Sequence, residues 1–411
     1  MTEPGADLAT GRDLYPVIRL AASLALMTVA TGAMFALIVV LKPIGTEFEI
    51  NRSMASLPYA LFMMGFGVGG IVLGKMADRV GILWPALVSA IAVPAGFIAA
   101  AQATNLWQFN LAVGLLLGLF GAGATFAPLI ADISHWFTAR RGLAVGVVIS
   151  GTYLAGAIWP WLLQGMIDDR GWRQAFTDVG LACLVIMLPL AGVLYRRPPG
   201  LGPDSDGRAA VAFRRPLGLR PPVLQCLICA AGVGCCTAMA MPQVHIVAYA
   251  TDLGYAAARG AEMLSLMLGS GIVSRLVSGW ISDRIGGLNT LMLGSAMQAL
   301  VLVLFLFADS LTALYATAIA FGLSQGGIVP SYAIIVRTFF PPGDAGWRIG
   351  MAVFFTVVGM AFGGWIAGLL YDLTGSYTAS FLNAIGFNIG NLAIAGFLLR
   401  RAQGQRLGAA A

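Results

Sequence analysis

The 411-residue chain is 59% hydrophobic and 10% charged, with a mean hydropathy of +0.85 and a formal net charge of +6. Soluble domains carry about a quarter charged residues, so a water-soluble globular enzyme is excluded. Two histidines (His135, His245) and two lysines (Lys42, Lys75) exclude a histidine metal site and a lysine-rich nucleic-acid surface. A spanning helix needs about 20 mostly apolar residues, and that window predicts helices near residues 17–41, 53–74, 83–103, 107–131, 142–165 and 174–195. The first run is too long for a signal peptide and lacks its small-residue cleavage site. Residues 196–221 are polar and rich in Pro, Gly and Arg, the composition of a linker. Six more helices follow near 222–248, 260–281, 288–308, 311–336, 348–370 and 377–399. Cys183, Cys226, Cys229, Cys235 and Cys236 lie inside apolar stretches and read as packing residues, not soft-metal ligands. Continuous apolar runs, unlike short alternating ones, also exclude a transmembrane β-barrel.

Basic residues set the expected orientation, because cytoplasmic loops accumulate Lys and Arg. One side carries 18 of them, the six linker arginines and Arg19 included, against 5 on the other. Both termini and the linker are therefore expected in the cytoplasm. This bias accounts for the net charge without a nucleic-acid partner.

The halves echo each other. Gly74-x-x-x-Asp78-Arg79-x-Gly81 follows helix two, and Gly279-x-x-x-Asp283-Arg284-x-Gly286 follows helix eight. Gly142, Ala144, Val145, Gly151 and Gly156 match Gly350, Ala352, Val353, Gly359 and Gly364, and Asp169, Trp172 and Phe176 match Asp372, Tyr377 and Phe381. Three matches in register order indicate an internal repeat. The expected fold is an all-α integral membrane protein, with twelve transmembrane helices in two pseudo-symmetric six-helix bundles, residues 1–195 and 222–411, joined by linker 196–221.

The Gly74–Gly81 loop resembles the signature of the major facilitator superfamily. The run Trp136-Phe137-Thr138-Ala139-Arg140-Arg141-Gly142-Leu143-Ala144-Val145-Gly146, continuing to Ser150-Gly151, resembles the fifth-helix signature of its monocarboxylate transporter family. The resemblance implies a secondary carrier without cofactor or metal, not an enzyme. It also implies that the repeated loop charges, Asp78 and Arg79 with Arg140 and Arg141 in one half and Asp283 and Arg284 in the other, latch the cytoplasmic face.

Arg275 is the one charge expected deep in the membrane. An arginine at mid-bilayer costs about 2.5–3.5 kcal/mol and faces an interior cavity. Without an acid at its depth it reads as a carboxylate receptor, since a guanidinium binds both oxygens together. Its same-face neighbours, Gly271, Ser278 and Gly279, are small. Resemblance implies that such an arginine holds the substrate carboxylate, with a proton-coupling aspartate four residues earlier, where this chain has Gly271. No Lys or Arg lies between Ile349 and Leu370, so the single cation suits a monoanion. Further candidates for the path are Phe120, Ser150, Tyr153, Gln325, Tyr332, Phe354 and Phe355; Phe35 and Gly146 enter through the resemblance. Gly69–Lys75 lacks the Ser/Thr of a phosphate loop, and Gly322-Leu323-Ser324-Gln325-Gly326 sits in a helix with no histidine base near it. The expectation is a monomeric plasma-membrane (inner-membrane) carrier of small acids such as lactate or pyruvate, with proton symport through a hydroxyl such as Tyr332. The alternatives are a proton-independent anion exchanger and an acid-sensing receptor.

Overall fold

The computed structural model describes residues 14–137, 141–196, 216–308, 310–340 and 342–410. Twelve helices are long and apolar enough to cross a membrane among those residues. In chain order they are α1 (Tyr15–Val39), α2 (Arg52–Ala77), α3 (Leu83–Gln102), α4 (Leu106–Ile133), α5 (Ala144–Arg170) and α6 (Trp172–Val193), then α7 (Pro221–Asp252), α8 (Ala257–Ile285), α9 (Gly287–Phe305), α10 (Leu311–Phe339), α11 (Arg348–Thr374) and α12 (Thr378–Gly404). The first six pack chiefly on one another, as do the last six. The two bundles meet along α2 against α11 and α5 against α8, with a lighter α1–α7 contact. Alternation places the starts of α1 and α7 and the ends of α6 and α12 on one face, here the linker face; the opposite face is the distal face. Residues 197–215 of the expected linker lie outside the described residues.

Two helices depart from the regular form that a hydropathy window assumes. Within α4, residues Ala112–Ala122 form a π-helix. Glycines explain the tolerance: α2 approaches so closely that a Cβ on Gly65 would lie 2.2 Å from the carbonyl oxygen of Gly114. Within α10, the helical segments end at Gln325 and resume at Ile328, so Gly326-Gly327 interrupts the ladder.

Two of the basic residues expected in loops are buried: Arg348, 4.2 Å from the Phe340 ring centre at the start of α11, and Arg19. Arg19, expected among the loop basics, is completely buried in the N-terminal bundle. Its Nε donates to Asp132 Oδ2 at 2.8 Å and its Nη2 to Oδ1 at 2.7 Å, while Nη1 donates to the Tyr15 hydroxyl at 2.7 Å and the Arg196 carbonyl at 3.0 Å. The guanidinium also lies 4.8 Å from the Trp136 ring centre. Bidentate pairing, with every guanidinium nitrogen hydrogen-bonded, lets the charge leave water. The pair fastens α1 to the last turn of α4 and to the end of α6.

Candidate functional site

A cavity of about 170 Å³ opens at the bundle seam, lined by side chains from α1, α2, α4, α5, α7, α8, α10 and α11. Its walls are mostly apolar, with aromatic and thioether groups such as Phe35, Phe62, Phe66, Phe126 and Met239 beside aliphatic ones, and Thr31, Thr152, Thr356 and Gln243 as scattered polar points. Among the described lining residues Arg275 is the one charged group.

Arg275 is positioned from two directions. Its helix is bolted to α10 by serines: Ser270 Oγ lies 3.1 Å from the Ile319 carbonyl, and Ser274 Oγ donates to the Leu323 carbonyl at 2.6 Å. At the break, Gly326 N donates back to Ser274 Oγ at 3.1 Å. From the other bundle comes Tyr153. The guanidinium carbon stands 4.5 Å above its ring centre, and Nη2 lies 3.5 Å from its hydroxyl. Nε is buried without a hydrogen-bond partner among the described residues. Glycine at 271 now has a steric reason, since a Cβ there would come within 2.5 Å of the Tyr153 ring. An aromatic face therefore occupies the space that a side chain at 271 would need.

The other candidates separate by helix face. Phe35 and Tyr153 line the cavity with Arg275, and Gly146 lines a neighbouring chamber. Gln325 is buried behind the wall, accepting a hydrogen bond at 2.5 Å from Gln243, which does reach the cavity. Tyr332 does not line this cavity: it is buried inside the C-terminal bundle, its hydroxyl 3.1 Å from Cys235 Sγ and 3.2 Å from Asn391 Oδ1. Phe120 points outward and is 40% exposed. Ser150 donates to the Val147 carbonyl of its own helix at 2.6 Å. Phe354 and Phe355 form an edge-on pair, and Phe354 packs toward Gly67 of α2. None of Phe120, Ser150, Phe354 and Phe355 lines this cavity.

On the linker face, Arg79, Asp283 and Arg284 are exposed, and Arg284 stacks 3.7 Å from the Trp280 ring centre. Gly74 has open space at its Cβ position. Arg140 and the side chains of Asp78 and Arg141 lie outside the described residues. The latch the structure does show is on the distal face. Lys42 pairs with Asp252, and Arg52 Nη2 reaches both oxygens of Asp252, at 2.9 and 3.3 Å. Asp372 of α11 accepts from the backbone N–H groups of Arg52 and Ser53, both at 2.7 Å, capping α2 from the opposite bundle. Every ion pair between the bundles among the described residues lies here. Nearby, His245 Nε2 donates to the Gly364 carbonyl at 2.8 Å and Nδ1 meets the Tyr377 hydroxyl at 3.1 Å. Burial pushes the Tyr377 phenol up, keeping it a donor. This distal network was missed in the sequence, where Asp372 and Tyr377 carried a signal only as the repeat partners of Asp169 and Trp172.

The family model described as Major Facilitator Superfamily matches residues 23–312 and 226–410. Rat "Monocarboxylate transporter 13" (Rattus norvegicus) is 30% identical over 81% of this chain and 76% of its own length. The "MFS-type transporter pynF" of Aspergillus niger is 26% identical over 74% of this chain and 69% of its own. Among solved structures, a bacterial homologue of the human lysosomal transporter Spinster, in an inward-facing and occupied conformation, aligns with a TM-score of 0.72 at 14% identity, covering 96% of this chain and 98% of that one. That last likeness is one of fold alone.

Proposed function

This chain belongs to the major facilitator superfamily and resembles its monocarboxylate transporters, and from that premise we propose that it is a secondary active carrier of small organic monocarboxylates. The observation that carries the reading is Arg275. It faces a cavity between the bundles, its near partner is an aromatic ring instead of a carboxylate, and its buried Nε has no partner among the described residues. A guanidinium so placed offers paired donors to both oxygens of one carboxylate. Phe35, Phe62 and Phe66 supply apolar wall for a short organic tail. No second cation joins Arg275 among the described lining residues, which suits a monoanion. Rocking of the bundles across the α2–α11 and α5–α8 seams would expose the cavity to each face in turn. In this reading the protein is a plasma-membrane monomer with both termini cytoplasmic.

The lining also bears on coupling. Proton symport through Tyr332 loses its hydroxyl, because Tyr332 is sequestered in the C-terminal core. Neither a carboxylate nor a histidine lines the cavity among the described residues. Exchange of one anion for another is the coupling this lining favours. Counterflow in proteoliposomes with a panel of acids tests the substrate class. Lactate, pyruvate and similar monoanions should compete for labelled lactate, and dicarboxylates should compete poorly. Preferred exchange of oxalate or succinate would sink the monoanion reading.

A further inference from the structure

Arg275 borders two cavities. On its linker side lies a second chamber of about 320 Å³ between α5, α8 and the second segment of α10. From α8 it receives Arg275, Ser278, Gly279 and Ser282, an i, i+3, i+4, i+7 set that forms one helix face. Both cavities have mostly apolar walls, but the central one is lined by large aromatic and thioether groups, whereas this chamber is lined by glycines, three serines, Pro330 and the aliphatic Val145, Ile149 and Ile334. Ser331 spends its hydroxyl on the Gly327 carbonyl at 2.7 Å. Ser282 spends its on nothing: it is 6% exposed, and its Oγ has no hydrogen-bond partner among the described residues. A buried hydroxyl without a partner costs stability. The interrupted helix adds a second attraction for anions. Ile328–Phe339 restarts after Gly327 with no side-chain cap, and its first turn contributes Val329 to one cavity and Gly327 to the other. Pro330 has no N–H, so the attraction comes from the positive dipole end of the segment and the N–H groups of its first two residues.

We propose that this chamber is a second substrate subsite, through which a small 2-hydroxy or 2-oxo acid leaves the central cavity by turning about Arg275, its oxygens received in order by Ser278 and Ser282. The proposal rests on the carboxylate reading of Arg275. Ser278 and Ser282 stand about 4.5 and 10 Å along the helix axis from Arg275. An acid can therefore keep one donor while reaching the next, and the oxygen on its second carbon is what distinguishes it from a plain fatty acid.

Two variants isolate the chamber. Ser282→Ala deletes only an unpartnered hydroxyl, which a purely structural serine would lose without cost. Gly146→Leu fills the chamber, and a Cβ at Gly146 meets nothing within 4 Å, so the fold has room for it. L-Lactate and propionate are the probes, followed by counterflow and by equilibrium binding in proteoliposomes. Ser282→Ala should slow lactate counterflow about three- to tenfold, the worth of one hydrogen bond, and shift the lactate-to-propionate preference toward unity. Gly146→Leu should slow both acids while equilibrium binding is kept. Wild-type lactate counterflow in both variants overturns the second subsite. Arg275→Gln separates the two levels. If it binds lactate normally, the Arg275 reading fails and the chamber fails with it. If it loses lactate while both chamber variants behave as wild type, the second subsite alone is overturned.

Discussion

Arg275 and Tyr153 form the contact on which the reading of the site depends. A cation held over an aromatic face gains about 0.5–2 kcal/mol, enough to aim the guanidinium while only Nη2 makes a long contact, 3.5 Å, with the Tyr153 hydroxyl. Lysine at this position keeps the charge but loses the planar fork. Arg275→Lys should bind the acid distinctly more weakly, and Arg275→Gln should lose roughly ten- to a hundredfold in affinity, the worth of a charge-assisted contact. Displacement of labelled lactate from purified protein measures both, and wild-type affinity in the Gln variant would place the site elsewhere. Arg275 was legible in the sequence because a lone charge stands out in an apolar run. Tyr153 was a candidate there too, but its pairing with Arg275 was not legible, because it lies 122 positions away and meets the arginine only through the α5–α8 seam. Tyr332 looks equivalent to Tyr153 in one dimension. Helix rotation separates them, turning one hydroxyl toward the cavity and the other toward Cys235 and Asn391.

At the level of helices, the start of α2 shows how the bundles are held together at one end. Asn51 caps it from within, accepting from Met54 N at 3.0 Å, and Asp372 of the other bundle takes the first two N–H groups, those of Arg52 and Ser53. A carboxylate at a helix N-terminus satisfies free donors and meets the positive end of the dipole. Asp372→Asn keeps one acceptor and loses the charge, so the distal seal should weaken by about 1 kcal/mol, roughly a fivefold shift in population. Ala55, buried beside this seam, reports on it. In an Ala55→Cys background, Asp372→Asn should speed modification by a membrane-impermeant maleimide; an unchanged rate would show that Asp372 does not hold the face shut. Hydropathy located all twelve spanning helices, because length and apolar content are visible in composition. It could not register the π-helix in α4, the interruption in α10 or the burial of Arg19 against Asp132. Each depends on which neighbouring helix approaches and from what angle.

In the proposed carrier the bundles reorient around Arg275, the one charged group among the described lining residues, and that decides what limits transport. With an acid bound, Arg275 and the carboxylate form a neutral pair that can cross the occluded state. Without one, the bundles must close over a bare guanidinium, a cost of about 2.5–3.5 kcal/mol on insertion scales. At about 1.4 kcal/mol per tenfold in rate, the empty carrier should turn over roughly a hundredfold more slowly than the loaded one. A carboxylate close to Arg275 could relieve this by neutralising the empty site, but Gly271 has no side chain and Tyr153 fills the space before it. Buried Asp132 is committed to Arg19 within the N-terminal bundle. Arginine stays protonated across the physiological range, so the asymmetry persists at every working pH. Uptake of labelled lactate should therefore depend on an acid inside the vesicle, be indifferent to a protonophore, and change little between about pH 7.5 and 5.5, where carboxylic acids and arginine both stay ionised. Measuring initial uptake into vesicles preloaded with lactate, or left without it, checks all three. Uptake into unloaded vesicles that climbs as the outside is acidified, and collapses with the protonophore, would instead establish that the proton travels with the acid.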